Sequence, residues 1–358
     1  MERKLLDEFF EVLNRLPKVQ VKLCSPLQSA SSGRKYDARA ELWVGGKAAN
    51  LLIDVKKALF PRDVRQALWK FQELARAGLP SLEGRQTVSF LVAQSISPGA
   101  RDLLREERVG YYDSGGSLFL PAQNIFVYVD KPPPKTLSKS IRSLFLGRRA
   151  QVLHALLMRH GKWFGVKEIA EQALVSPATA SQVLTELERF DWVVSRGKGP
   201  TKERNLREPG ALLDAWAKQL EAMRPLALRR YFVPSVRAER LVKRLAEVCA
   251  AYKAEYAITH EAAGQRYAPL LSTVSQVRCR LMVGADADRV LRALDARIVD
   301  QGANLTVIEV QSSGELLFRD LVGGVRLASP VQVYLDLLRG EGRARELAEH
   351  LRNERIGF

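Results

Sequence analysis

Cysteine and histidine are scarce in this chain of 358 residues, which holds three cysteines and four histidines. Cys24, Cys249 and Cys279 are odd in number and widely spaced, which argues against a disulfide framework and against a cysteine zinc site. The histidines are scattered without metal-ligand spacing. A Gly-x-Gly-x-x-Gly or Walker pattern for cradling phosphates is also missing. These absences argue against a metal site built from cysteine or histidine and against a phosphate-cradling loop.

Long apolar runs are missing too. No stretch approaches the roughly 20 residues that a membrane-spanning helix needs. The opening MERKLLDEFFEVLNRL reads as a charged amphipathic helix rather than a signal peptide. We therefore expect no membrane partner and a bacterial-type cytoplasm as the setting. With 46% hydrophobic residues and more than one domain's length, the chain should form two or three domains with sizeable cores.

Acidic residues are fewer than basic ones: the chain has 40 Asp and Glu and 56 Lys and Arg, which gives a net charge of +16. The excess is +8 in residues 1–146 (23 basic against 15 acidic), +4 in 147–225 (13 against 9) and +4 in the remainder (20 against 16). A positive charge spread along the whole chain indicates a polyanionic partner.

Residues 148–209 read as helix, helix, turn, helix and basic hairpin. Ser176 suits the N-cap of the third helix, and Pro177 suits its first position. Apolar residues recur at helical spacing and predict a buried face: Val183, Leu184 and Leu187. The residues between them are small and polar, of types that reach base edges and phosphates: Thr179, Ser181, Gln182 and Thr185.

A short strand beginning at Trp192 leads into the hairpin, whose basic residues are the expected DNA contacts: Arg196, Lys198, Lys202 and Arg204. The stretch SPATASQVLTELERFDWV with this basic wing resembles the winged helices of bacterial transcription regulators. The resemblance implies a winged helix-turn-helix over residues 147–224 that places a helix in the major groove of duplex DNA, with Thr179, Ser181 and Gln182 at recognition positions. The alternative is a helical bundle followed by a solvated basic loop.

Residues 1–130 alternate helix and strand, which predicts a mixed α/β domain with a sheet flanked by helices. In the strand NLLIDVKK, Asp54 and Lys56 share a face because side chains alternate with period two. Asp37 lies eight residues before Gly45 and Asp54 eight after Gly46, so a hairpin turning at these glycines brings the two acids together. Two carboxylates and a lysine are what Mg²⁺ and an attacking water need near a phosphodiester.

This order of elements, with Asp37, Asp54 and Lys56, resembles the PD-(D/E)XK restriction-endonuclease-like superfamily. The resemblance implies that both aspartates bind Mg²⁺ and that Lys56 completes the catalytic site of a DNA endonuclease. Glu8 or Glu11 could supply an extra acid, and Glu41 is an alternative to Asp37 as the first acid. A solvated strand end without chemistry is the alternative interpretation of Asp-x-Lys.

The stretch VDKPPPKTLSKSIRS holds Pro132–Pro134 and predicts a semi-rigid extended linker over residues 131–146. Residues 225–358 predict a C-terminal α+β domain with strands VRCRLMV, ANLTVIEV and ELLFRDL. Within this domain, YAITHEAAGQRYAPLL and SPVQVYLDLLRGEGRARELAEHLR resemble the C-terminal region of the AbiEi-like antitoxins of type IV toxin–antitoxin systems. The resemblance implies a transcriptional repressor that counteracts a nucleotidyltransferase toxin.

The sequence therefore favours an antitoxin-like regulator that binds double-stranded DNA through a winged helix, with a cognate toxin as a further partner. A Mg²⁺-dependent DNA endonuclease, targeted by the same winged helix, is the alternative. A third interpretation is an interaction scaffold whose basic surface is incidental.

Overall fold

The computed structural model describes residues 2–25, 36–44, 46–76, 86–122, 125–223, 228–234 and 237–358. The chain divides into two compact units. Unit 1 comprises Met1–Ser143 with Thr185–Asp191, and unit 2 comprises Leu144–Leu184 with Trp192–Phe358. Across the described ranges, every helix is too short or too polar to cross a membrane. Both units combine helices and sheets, which confirms the mixed α/β class.

Unit 1 is built on a seven-stranded sheet whose strands lie side by side in chain order. Its strands are β1 (Val19–Ser25), β2 (Ala38–Val44), β3 (Lys47–Leu59), β4 (Thr87–Ile96), β5 (Gly110–Asp113), β6 (Leu118–Ala122) and β7 (Ile125–Val129). Its helices are α1 (Glu2–Asn14), α2 (Pro61–Arg76) and α3 (Pro98–Glu106). The central strands β3, β4 and β5 are parallel, and the outer pairs are antiparallel.

The two faces of this sheet carry separate cores. Phe9 of α1 packs with Ile53 and Val55 on one face. Helices α2 and α3 pack on the other face, where Leu91 and Tyr111 are buried. Because side chains alternate along β3, Asp54 lies on the face that α2 covers.

The segment after unit 1's sheet differs from the extended linker expected over residues 131–146. Only the stretch up to the prolines is extended, and a helix, α4 (Lys135–Leu144), follows. Proline excludes helix only where its ring and missing N–H fall, so the effect ends with Pro134. Beyond it, burial of Leu137 and Leu144 stabilises a helix.

Three helices and a hairpin follow, in the predicted order. They are α5 (Gly147–Met158), α6 (Val166–Gln172), α7 (Pro177–Arg189), β8 (Val193–Arg196) and β9 (Glu203–Leu206), and we call them the helix–hairpin segment. Ser176 caps α7 as expected, because its Oγ accepts a hydrogen bond from the Thr179 N–H at 3.2 Å. The apolar face of α7 is buried: Ala180, Val183, Leu184 and Leu187. Helix α8 (Pro209–Glu221) follows the hairpin.

A second seven-stranded sheet completes unit 2, in the order β13-β10-β14-β12-β11-β16-β15. Its strands are β10 (Leu228–Phe232), β11 (Tyr256–Thr259), β12 (Val277–Met282), β13 (Arg297–Ile298), β14 (Leu305–Val310), β15 (Asp320–Val322) and β16 (Val325–Leu327). Its helices are α9 (Ala238–Ala251), α10 (His260–Tyr267), α11 (Ala285–Ala293), α12 (Pro330–Leu337) and α13 (Ala344–Leu351). The predicted strand ELLFRDL is instead a 3₁₀ turn, Ser313–Leu316, followed by β15.

Candidate functional site

The outer face of α7 offers two exposed polar side chains, Gln182 and Thr185. Thr179 and Ser181, also predicted to contact DNA, are half-buried. The hydroxyl of Thr179 lies 3.0 Å from the Ser176 hydroxyl, so it takes part in the cap of the helix. Of the four side chains of α7 predicted to contact DNA, Gln182 and Thr185 are therefore the exposed ones.

The hairpin carries exposed cations at its tip. The Arg196 guanidinium lies 4.2 Å from the centre of the Trp163 ring and pairs with Glu203 at 2.7 Å. Such stacking restricts the arginine while leaving its side chain 56% exposed. Lys198 is exposed and Lys202 is half-buried. Of the four basic hairpin residues predicted to contact DNA, Arg196 and Lys198 are thus the exposed ones.

Arg204 departs from its expected role. Its side chain is only 5% exposed, so it does not lie on a surface that DNA could contact. The backbone N–H and C=O of Arg204 pair with Phe164 at 2.9 Å, which forms an isolated antiparallel β-bridge beside β9. Along β9 alternate residues point inward, and Arg204 shares the buried face with Leu206. Basic composition alone did not reveal this alternation.

In unit 1, the strand register brings Asp37 to Asp54. Strands β2 and β3 pair with Ala38 opposite Ile53, and the Asp37 N–H donates to the Ile53 carbonyl at 3.0 Å. Gly45, the first residue of the expected turn, lies outside the described residues. The Asp37 carboxylate accepts a hydrogen bond from the Val55 N–H at 2.7 Å, which fixes it beside the C-terminal half of β3.

Two lysines hold the carboxylate of Asp54, which is 1% exposed. Lys56 Nζ lies 3.0 Å from one oxygen, and Lys70 Nζ of α2 lies 2.9 Å from the other. Sequence reasoning missed Lys70. Its signal was a lysine set among the apolar positions of an amphipathic helix, next to Phe71 and three residues from Ala67.

The pKa values of the two carboxyl groups are shifted in opposite directions. Burial, and a hydrogen bond shared with Asp54, raise the pKa of Asp37. Burial also tends to raise the pKa of Asp54, but hydrogen bonds from Asp37 and Lys70 and the charge of Lys56 outweigh it and lower that pKa. The pair therefore holds one ionised carboxylate, Asp54, beside a carboxyl that accepts a proton more readily.

The geometry decides between the alternative acids. Glu41 lies opposite Asn50 on β3, four residues along β2 from Asp37, or about 13 Å away. It therefore does not join Asp54. Glu8 and Glu11 lie on α1, which packs on the opposite face of the sheet from the Asp54 side chain, so neither supplies the extra acid.

Over the part of the chain that the structure describes, no three His, Cys, Asp or Glu side chains are grouped to hold a metal ion. Mg²⁺ commonly takes only one or two protein carboxylates and completes its shell with water and substrate phosphates. Asp37 and Asp54 fit this smaller donor set. Lys56, which pairs with Asp54, keeps 43% of its side chain exposed to solvent.

Helix α8 is joined to the C-terminal elements of unit 2. Arg352, beyond α13, pairs with Asp214 of α8 at 2.6 Å. Arg339, after α12, donates hydrogen bonds to the carbonyls of Leu220 and Met223 at 3.0 and 3.3 Å. A known protein family also matches α8 together with the C-terminal elements. Residues 205–357 match the AbiEi_2 family, described as transcriptional regulator, AbiEi antitoxin, type IV TA system.

This AbiEi-matching region (205–357) begins in β9 and contains α8 and all of the second sheet. The match does not extend to unit 1 or to helices α5–α7. No curated protein and no solved structure matches the chain. The C-terminal resemblance expected from the sequence is therefore confirmed.

Proposed function

We propose that this protein is a DNA-binding transcriptional regulator of the antitoxin type, which docks on duplex DNA as a winged helix through α7 and the β8–β9 hairpin. The observation that carries the proposal is the position of the helix–hairpin segment. It leads directly into a region that matches an antitoxin and regulator family. A cognate toxin is the partner that this family description supports.

The exposed side chains suit the two tasks of a winged helix. Helix α7 would enter the major groove, where an exposed glutamine such as Gln182 can bond bidentately to adenine. Thr185, one turn along the same helix, could bond a base edge or a phosphate. Arg196 and Lys198 would contact the phosphate backbone beside the groove and set the register of the protein.

Replacing Gln182 with Ala tests the reading of bases. Wild-type and Gln182→Ala proteins would be used to select duplexes from a randomised library, and the enriched sequences compared. We expect the variant to lose preference at one base pair, because a good bidentate contact contributes about 1–3 kcal/mol of discrimination. Gln311→Ala, which removes an exposed glutamine elsewhere in unit 2, is the matched control.

A uniform loss of affinity across all sequences would contradict the role of Gln182. Absence of any duplex binding by the wild-type protein would contradict the proposed function itself.

A Mg²⁺-dependent DNA endonuclease is the second candidate, favoured by the buried contact of Asp37 with Asp54 beside two lysines. In this function Asp37 and Asp54 would hold Mg²⁺, which would polarise the phosphate and activate water. Lys56 and Lys70 would stabilise the negative charge that develops on the phosphate. The lowered pKa of Asp54 means that this carboxylate would bind the metal at neutral pH without first losing a proton.

Plasmid nicking with MgCl₂ or with EDTA tests this candidate. We expect Mg²⁺-dependent cleavage by the wild-type protein, its loss in Asp54→Ala and Lys56→Ala, and unchanged DNA retardation in both variants. Lys57→Ala is the control, because Lys57 is the next residue of β3 and its side chain is exposed. Cleavage that is absent with every DNA form, or that survives in Lys56→Ala, would reject the nuclease function.

A further inference from the structure

One face of the second sheet is covered over only part of its width. Helices α10 and α12 pack against β11 and β12. Beyond them, over β14 and β10, the same face opens into a cleft of about 790 Å³. The end of α8 and the turn after α12 form its walls. Small-molecule sites commonly have volumes of about 300–1,000 Å³, so this cleft is of suitable size.

The floor of the cleft is a polar row that the strand register creates. Arg230 of β10 lies opposite Thr306 of β14, and Thr306 lies beside Arg278 of β12. Gln276 donates to the Thr306 hydroxyl at 3.0 Å and accepts from Arg278 Nε at 3.2 Å. These bonds orient Arg278. The Cα atoms of the two arginines are two strand spacings apart, about 10 Å, so both guanidinium groups can converge above Thr306.

His260 lines the inner end of the cleft and is 7% exposed. Its Nδ1 is buried and has no hydrogen-bond partner among the described residues. An unsatisfied buried polar atom is costly and uncommon in folded proteins. The φ angle of His260 is 53°, in the left-handed region that few residues other than glycine adopt and that Asn, Asp and His tolerate best. The fold thus holds an unpartnered imidazole beside the floor arginines.

The acidic residues that line the cleft are either neutralised at its inner end or exposed to solvent. Asp336, at the inner end, is held by Arg280 through bonds of 2.6 and 3.0 Å, so its negative charge is already neutralised. The other acids of the lining are exposed: Glu221, Asp300 and Glu341. Arg230 has no ion pair with any residue that the structure describes. Arg278 pairs with Glu261 at 3.7 Å, so the uncompensated positive charge of the floor comes from Arg230.

Apolar side chains complete the lining, among them Leu228 and Ile308, which pair across β10 and β14. A ligand of this cleft thus needs an anionic group for the polar part of the floor and an apolar or aromatic body for the apolar part beside it. Arg230, Arg278 and His260 approach from three separate positions. This arrangement suits the three terminal oxygens of a phosphate better than the two of a carboxylate.

We propose that the cleft binds a small phosphate-bearing organic molecule of nucleotide size, with its phosphate between Arg230, Arg278 and His260 and its body against Leu228 and Ile308. The site lies wholly within the AbiEi-matching region. It requires no DNA, so it stands or falls independently of the proposed function.

Isothermal titration calorimetry of the full chain with 5′-AMP, GMP, CMP and UMP and with inorganic phosphate tests the proposal. We expect saturable one-to-one binding of at least one phosphorylated probe and none of the corresponding nucleoside. Arg230→Gln should weaken that binding at least about 10-fold, because it removes a charge-assisted hydrogen bond. Arg229→Gln is the matched control, since Arg229 is the neighbouring residue of β10, points to the opposite face and pairs with Glu309 at 2.7 Å.

Equal weakening by Arg229→Gln and Arg230→Gln would overturn the proposal, as would a lack of binding by every phosphorylated probe. Acetate or benzoate binding as tightly as the phosphorylated probes would overturn the choice of phosphate. Should Arg230→Gln lower the melting temperature, His260→Asn provides the second variant, because asparagine tolerates the left-handed backbone at this position. It should weaken the same probe without affecting the melting temperature of the protein.

Discussion

His154 is a polar residue buried in α5 of unit 2, with 6% of its surface exposed. Its Nε2 lies 2.6 Å from the Ser329 hydroxyl. That oxygen also accepts a hydrogen bond from the Gln332 N–H at 3.1 Å, where it caps α12. The Ser329 proton is therefore available to an unprotonated Nε2. This hydrogen bond connects α5 of the helix–hairpin segment to the AbiEi-matching region.

This histidine should make unit 2 sensitive to acid. Burial and the nearby charge of Arg280 lower the pKa of His154 to about 3, from 6.5 in the unfolded chain. Between these values the unfolded state binds the additional proton. The stabilisation is therefore complete above pH 6.5 and declines as the pH falls toward 3, by about 1.4 kcal/mol per pH unit.

Thermal unfolding at pH 7 and pH 5 measures this effect. We expect His154→Gln to melt at a lower temperature at pH 7 and to lose less stability than wild type between the two pH values. His160→Gln, which replaces an exposed histidine, should behave as wild type does. An unchanged pH dependence in His154→Gln would show that His154 is not the titrating group.

For individual residues, the sequence predicted some of the contacts in the candidate sites but not others. The contact of Asp37 with Asp54 follows from counting outward from one turn, because antiparallel register is fixed once the turn is placed. Lys70 was missed because its partner, Asp54, is sixteen residues away on another element. The burial of Arg204 depends on Phe164 pairing beside β9, a contact that no local pattern of charges indicates.

Helices and strands form where the sequence predicts them if the hydrophobic periodicity and the capping residues indicate the same element. Helix α7 begins at Pro177 behind the Ser176 cap, and β3 spans the whole apolar run before Lys56. The misread stretch ELLFRDL shows the limit. Its first residues belong to a 3₁₀ turn packed on α5, in which a Cβ at Gly314 would clash with the Gln151 side chain. Tertiary contact, rather than strand propensity, decided that conformation.

For the whole molecule, the excess of positive charge is divided rather than concentrated in the hairpin. Residues 1–146 carry a net charge of +8 and residues 147–358 carry the remaining +8 of the total of +16. Each phosphate that a lysine or arginine neutralises releases counterions and adds about 0.9 to the slope of log affinity against log salt. Salt dependence therefore separates the hairpin contribution from that of the rest of the chain.

Fluorescence anisotropy of a labelled 30-base-pair duplex at several KCl concentrations would measure that slope. Replacing Arg196 and Lys198 together with Gln should weaken binding to every sequence and reduce the slope by about 1.8, because two phosphate contacts are lost. A substantial slope should remain, supplied by the other exposed cations. Lys243→Gln with Arg292→Gln removes the same charge from α9 and α11 and should leave the slope nearly unchanged. If the hairpin variant retains the wild-type affinity and slope, the hairpin does not contact phosphates, and the winged-helix docking proposed here is wrong.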